Sequence, residues 1–449
     1  MEVYRQLYMI IKRSFFYFSI LFALCCLGIV PAFSFAQEPI EIFSLKQTIE
    51  AAIKVNLGLQ SSIEETDAAL AVKKANRTNF FPSLSASYQY DRLDEEENFG
   101  NIVTGPKEEY TFVTSFNQPI FTGFALTRQY DIATLGLDLA KTNEKLNRQD
   151  IILDAKNTYF QLLQTQKLHN IAQETVIQIR SQEEVANNFY QVGMSPLNDL
   201  LQAQVELANA KQELIVAKNN LENAEANFNT LLRRPINAPV LIKDILDYSP
   251  FEETLDYCLA EAENNRLEIK VADMELEIAE KELQLTKKDY YPSIDLQGNY
   301  FKRGTEWDVD GGQGIFDPDG WQIIAAATWT FWEWGRTSYN VKERLSRVAQ
   351  AELRKDELLD NIWLEVKKAY LRTIEAEKAI ITVEKAIEQA KENFRINQER
   401  YKEQVATSTD VLDAQTLLSR TMTNYYNALY AFKLAKAALY RAMGQEIIE

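Results

Sequence analysis

The sequence is nearly without cysteine and histidine. Of three cysteines in 449 residues, Cys25 and Cys26 lie in an apolar N-terminal stretch, and Cys258 stands alone after it. One thiol forms no internal disulfide, so packing or oligomerisation must hold the chain together. The single histidine, His169, lies in a helical pattern and reads as a packed or solvated helix residue. It leaves no cysteine–histidine cluster for zinc. Phosphate-binding and dinucleotide glycine motifs are missing too, so no catalytic site and no cofactor are expected. Positive charge is in deficit: 48 Lys and Arg face 65 Asp and Glu, a formal net charge of −17. Such a chain is a poor nucleic-acid binder. After residue 36 no apolar run approaches the ~18 residues of a membrane helix. Any later membrane insertion must use β-strands.

The N-terminus carries a targeting pattern. Lys12 and Arg13 precede an apolar run from about Ser14 to Val30, then Pro31 and Ser34-Phe35-Ala36. Small residues at 34 and 36 suit a signal peptidase, so 1–36 is expected to be a secretory signal peptide cleaved before Gln37. An uncleaved anchor is the alternative, although so short a run barely spans a bilayer. A lipid anchor is weaker still, because Leu24 before Cys25 is large for a lipoprotein cleavage site. Residues 1–36 carry a net +2, which leaves −19 on the remainder.

What the sequence does contain, it contains twice. FFPSLSASYQY at 80–90 recurs as YYPSIDLQGNY at 290–300. Residues 44–90 align without a gap on 254–300, and Tyr159, Tyr190 and Asp199 match Tyr370, Tyr401 and Asp410 at an offset of 211. The one extra residue falls in the Gly/Asp-rich stretch between Tyr300 and Trp321, where a length change is tolerated. The spacing is too long for a solenoid repeat. It implies a duplicated supersecondary unit, with repeat 1 over 37–243 and repeat 2 over 244–449.

Each unit reads as helix, two strands, very long helix, shorter helix. Residues 45–79 have helical apolar spacing. Pro82 must end that helix near Phe81. From Ser83 the period becomes two: Leu84, Ala86, Tyr88 and Tyr90 share one face, and Ser83, Ser85, Ser87 and Gln89 the other. A second strand is expected over 110–118, with its counterpart at 321–329. Long helices follow over about 123–189 and 334–400, then shorter ones over about 197–232 and 408–443. A long helix spans about 100 Å. The two shorter helices of a unit, end to end, match it, so each unit makes two antiparallel rods with strands at one end. Four amphipathic strands cannot close a barrel, which needs about eight, so several chains must supply them. Tyr88, Tyr90, Tyr110, Tyr300, Trp321 and Trp329 suit interfacial girdles.

In order and duplication these motifs resemble the TolC-like outer-membrane efflux family. The resemblance covers residues 40–446 and rests on NFFPSLS, YYPSIDL, QPIFTGF, YQVGMSPLNDLLQAQ, FNTLLRRP and YKEQVATSTDVLDAQ. It implies a mainly α fold with a small β membrane part. Three chains share a 12-stranded outer-membrane barrel and form an α-helical periplasmic tunnel. It further implies a Gram-negative outer-membrane location and a role as exit duct rather than enzyme. The implied partners are outer-membrane lipid, a periplasmic adaptor, and an inner-membrane pump or a type I secretion ABC transporter. A structural or adhesive coiled-coil protein of the envelope is the alternative.

By the same resemblance the functional residues lie at the helix-turn tips. Val192, Gly193, Met194 and Ser195, with Gln404, Val405, Ala406 and Thr407, are the expected adaptor dock. Asp410 and Asp413 are expected to line the periplasmic entrance, and Tyr401 with Asp199 to link neighbouring rods and hold it shut. Asp410 and Asp413, three apart, share a helix face. The first unit has Asp199 but Gln202 at the matching positions. Two departures stand out: Gln404 replaces a usual glycine, and Ala406 replaces a usual basic residue.

Overall fold

The computed structural model describes residues 42–100 and 102–447. The expected signal peptide, with Cys25 and Cys26, lies outside the described residues. In the unit beginning at Phe43, the long helices and the sheet strands occur in the same order in both halves, and the first half adds a small hairpin. The first half has α1 (Leu45–Val55), α2 (Leu57–Thr78), β1 (Ser83–Arg92), a small hairpin of β2 (Glu97–Phe99) and β3 (Ile102–Gly105), β4 (Glu108–Thr122), α3 (Ala125–Gln191) and α4 (Leu197–Leu231). The second has α5 (Leu255–Asn265), α6 (Leu267–Thr286), β5 (Ser293–Gly304), β6 (Asp319–Thr328), α7 (Arg336–Lys402) and α8 (Ser408–Ala442).

The helix expected over 45–79 is in fact two. Asn56 is extended, at φ −68° and ψ 123°. Its own N–H still bonds the Ala52 carbonyl at 3.0 Å, while its side chain accepts from the Leu59 N–H at 3.0 Å. One residue therefore ends α1 and caps α2. Arg266 holds the same conformation between α5 and α6 without capping. Its buried guanidinium instead pairs with Glu268 and Glu365, each at 2.9 Å, and donates to the Ala442 carbonyl at 3.2 Å.

Each long helix has 67 residues and each closing helix 35. Along α3, α2 and α1 cover the strand-proximal half and α4 the distal half. The ends of α1 and α4 meet halfway. There Ile49, Tyr159, Leu162 and Phe228 are fully buried, and the Tyr159 hydroxyl donates to the Lys243 carbonyl at 2.7 Å and lies 3.1 Å from that of Phe43. Burial pushes this phenol up to about 12. The matching seam on α7 packs Cys258, Ile362, Val366, Phe432 and Leu439. Near the tips a third cluster joins Val176, Ile179, Ala203, Ala210 and Leu412.

The four strands pair antiparallel in the order β1-β4-β5-β6. Leu84 stands opposite Phe116, Phe116 opposite Gly298, and Gly298 opposite Ile323. Tyr90 similarly faces Tyr110, and Tyr300 faces Trp321. One face is therefore apolar across all four strands. Asn117 pairs with Ser83 and with Gln297 on the opposite, polar face. Among the described residues little covers the apolar face: Leu84 is 76% exposed and Trp321 73%. β4 runs four residues beyond the expected end, through Pro119, because the register shifts between Pro119 and Phe121. The residue left unpaired is Ile120, and the break in the ladder it makes lies beside Pro119, which has no N–H to donate. The bulge also returns Phe121 to the apolar face, within 5.3 Å of Phe124. The expected girdle residues fall at two levels. Tyr88, Tyr90, Tyr110, Tyr300 and Trp321 lie toward the loops, while Trp329 lies at the rod end with Phe331, Trp332 and Trp334.

Candidate functional site at the rod tips

The tips join α3 to α4 and α7 to α8. In the first, Gly193 has φ +77°. Its N–H bonds the Tyr190 carbonyl at 3.0 Å, and the Met194 N–H bonds that of Phe189 at 2.8 Å. These are the two bonds of a Schellman ending, which needs a left-handed residue after the cap. The second tip repeats it with Gln404 at φ +59°, bonding Tyr401 at 3.0 Å, while Val405 bonds Arg400 at 2.9 Å. The missing glycine is thus tolerated, and the strain stays in the backbone. Val192, Met194 and Val405 are exposed at 67%, 58% and 62%. The tips touch, with Gln404 Nε2 3.6 Å from Met194 Sδ.

The structure separates the roles of the acids. Thr407 and Asp410 form a reciprocal capping box at the start of α8. The Thr407 N–H and Oγ1 donate to the Asp410 carboxylate at 2.8 Å each, and the Asp410 N–H donates back at 3.3 Å. The backbone and hydroxyl bonds from Thr407 hold the Asp410 carboxyl below its ordinary range. The stability this adds is present above the unfolded pKa, about 3.9, and is lost as pH falls through the lower folded value. Asp413 is exposed one turn on and makes no hydrogen bond or ion pair among the described residues. In the first tip Pro196 occupies the cap without a side-chain bond, so Asp199 is not committed to a cap.

Tyr401 and Asp199 come together from α7 and α4. Tyr401 is 4% exposed, with its ring 5.4 Å from that of Phe189. Burial, reinforced by the Asp199 charge, raises the phenol above its ordinary range. The hydroxyl lies buried near Ser408 with no hydrogen-bond partner among the described residues. No hydrogen bond joins it to Asp199. Two contacts escaped the sequence reading: the Phe189 stack, and the bond from Thr409 Oγ1 to Gln202 Oε1 at 2.8 Å that ties α8 to α4. Gln202 matches Asp413 between the halves, a difference visible in the sequence but not interpretable as a contact.

Long paired helices ending in a sheet with an uncovered apolar face are the build of outer-membrane channel chains. Solved structures agree on the fold. The chain superposes on the Campylobacter jejuni CmeC outer membrane channel with a TM-score of 0.78 at 18% identity, covering 89% of this chain and 85% of that one. The open-state Neisseria gonorrhoeae MtrE outer membrane channel gives 0.75 at 19% identity, covering 89% of each. In sequence it is 21% identical over 435 residues to the outer membrane protein TolC of Vibrio cholerae serotype O1, covering 94% of both chains. The family model described as outer membrane efflux protein matches residues 48–232 and 258–445. The chain belongs to this outer membrane efflux protein family, and it is an outer-membrane protein of the Gram-negative envelope.

The second tip supplies a direct test of the strain at Gln404. Gln404→Gly relieves a left-handed residue, worth about 1 kcal/mol after the greater chain entropy of glycine is counted. Hydrogen exchange at the end of α7 should slow by about fivefold. Unchanged exchange would mean that the Gln404–Met194 contact compensates the strain.

Proposed function

We propose that three copies of this chain close one 12-stranded barrel and one tunnel of helical rods. The duct so formed passively conducts substrates from an inner-membrane pump or ABC transporter across the periplasm and outer membrane. It works with a periplasmic adaptor in a tripartite efflux or type I secretion system and performs no catalytic step. The duplicated repeats, 37–243 and 244–449, supply the two rod-and-hairpin halves. One observation carries this reading: a four-stranded sheet with an apolar face and two open edges sits at the end of rods about 100 Å long. Open edges are not stable in lipid, and four strands do not close alone. β1 and β6, of ten residues each, have the length an outer-membrane strand needs.

Substitutions on the two faces test the barrel. Leu84→Lys or Leu296→Lys, on the apolar face, should lower heat-resistant trimer by up to about 2–4 kcal/mol each. Ser85→Lys and Gln297→Lys, on the polar face, should be tolerated. Equal losses on both faces would remove the barrel, and a purely helical filament without outer-membrane fractionation would favour the coiled-coil alternative.

The entrance proposal rests on the tip acids. Three-fold symmetry turns Asp410 and Asp413 into two carboxylate rings that favour cations, with Tyr401 and Asp199 holding the rods shut. Because Asp410 is engaged by Thr407, Asp413 is the carboxylate more available to a passing ion. In planar bilayers, Asp410→Ala with Asp413→Ala should weaken block by multivalent cations, and Asp413→Ala alone should account for most of the loss. Wild-type selectivity in the double variant would return both acids to helix-start duty.

The exposed Val192, Gly193 and Met194 and the half-buried Ser195, with Gln404, Val405, Ala406 and Thr407, form the adaptor dock. Gly193→Trp should leave the trimer intact, abolish export and lose adaptor in copurification. Undiminished export would place docking elsewhere.

A further inference from the structure

Halfway along the first long rod, between α3 and α8, lies a cavity of about 440 Å³, within the ~300–1,000 Å³ range of small-ligand sites. Lys46, Lys156, Lys243, Lys433 and Lys436 line it. Asp247 is the one acid in the lining, and Lys433 already pairs with it at 3.2 Å. Lys46 and Lys243 are exposed and Lys433 and Lys436 half-buried, so the charge is graded from mouth to wall. In a chain of net charge −17 this is a local excess of positive charge, and like charges gathered in a pocket oppose folding.

Lys156 is the decisive residue. It is 6% exposed and has no ion pair or hydrogen bond among the described residues. Burial alone displaces its pKa, downward, with no neighbouring carboxylate acting against it. Its stem is buried while its ammonium keeps contact with solvent, as in a lysine that reaches into a cavity, and no protein group among the described residues pairs with it. The rod itself does not require the burial: the matching position 211 residues on is Lys367, which is exposed. Depth limits the occupant. Lys156 lies 31 residues along α3 from its start at Ala125, about 46 Å from the strands, beyond the reach of lipid headgroups.

We propose that this cavity binds a small soluble anion carrying two or more phosphate or carboxylate groups. Lys156 supplies the innermost charge, and Lys46, Lys243 and Lys436 supply the donors nearer the mouth. Ammonium groups bind such oxyanions through charge-assisted hydrogen bonds.

Titration calorimetry on the assembled full-length protein in detergent tests this, with pyrophosphate and citrate as separate probes and sodium chloride at matched ionic strength as the control. Saturable binding of one probe molecule per chain is expected, and the probe that binds distinguishes phosphate from carboxylate chemistry. Lys156→Met should weaken binding at least tenfold, and Lys367→Met should leave it unchanged. Without ligand, Lys156→Met should match the wild-type heat stability, because it keeps the buried apolar stem and removes only an unpaired ammonium. Three results would overturn the proposal: no saturable binding of either probe, equal weakening by Lys367→Met, or lost binding in Lys156→Met accompanied by lost unliganded stability, which would assign Lys156 to packing.

Discussion

A helix of 67 residues has no globular core in which to bury a face. Every turn must be covered by neighbouring helices, and two shorter helices laid end to end leave a seam. That seam is the point on which the rod depends. Around Tyr159 it is sealed by Ile49 and Phe228 from the abutting helices. The Tyr159 hydroxyl donates to the Lys243 carbonyl, while the Lys243 N–H bonds the Phe43 carbonyl at 2.9 Å. Buried carbonyls left without donors would cost about 1–3 kcal/mol each. The small residues of the rods, such as Ala155 and Ala203, let helices approach closely over the remaining length.

The sheet obeys a different constraint. Its apolar face is continuous across four strands because the register sets Leu84, Phe116, Gly298 and Ile323 level, as it does Tyr90 with Tyr110 and Tyr300 with Trp321. A one-residue slip would send the whole set to the other face. The bulge at Pro119 is therefore informative. It permits a proline inside a central strand, and it restores Phe121 to the apolar face at the level of Phe124 and Tyr291. These aromatics mark the passage from strand to rod.

The two halves share a plan but not its chemistry. Gly193 relaxes one tip while Gln404 strains the other. Pro196 begins α4 without a side-chain cap, whereas Thr407 and Asp410 cap α8 reciprocally. Asn56 caps where Arg266 instead anchors an ionic network. Lys156 is buried where Lys367 is exposed. Two halves with the same order of long helices and strands thus hold different solutions at matching positions, and those differences are where the halves can take separate tasks.

Local rules made much of this legible in the sequence. The change of period at Ser83 marks β1, Pro82 stops the helix before it, and unbroken helical spacing announces the long helices to within two or three residues. Each depends on a few neighbours along the chain, so each can be read from the chain alone. The break at Asn56 is not legible there, because a residue that ends one helix while capping the next looks, in sequence, like one more polar position. The run of β4 through Pro119 was missed because only the cross-strand partner fixes where a bulge falls. The tip acids were identified as a pair, but which of them is committed to Thr407 depends on side-chain geometry. The orphaned Tyr401 hydroxyl and the burial of Lys156 depend on residues far away in sequence. Burial and pairing are properties of the surroundings, and only the tertiary structure decides them.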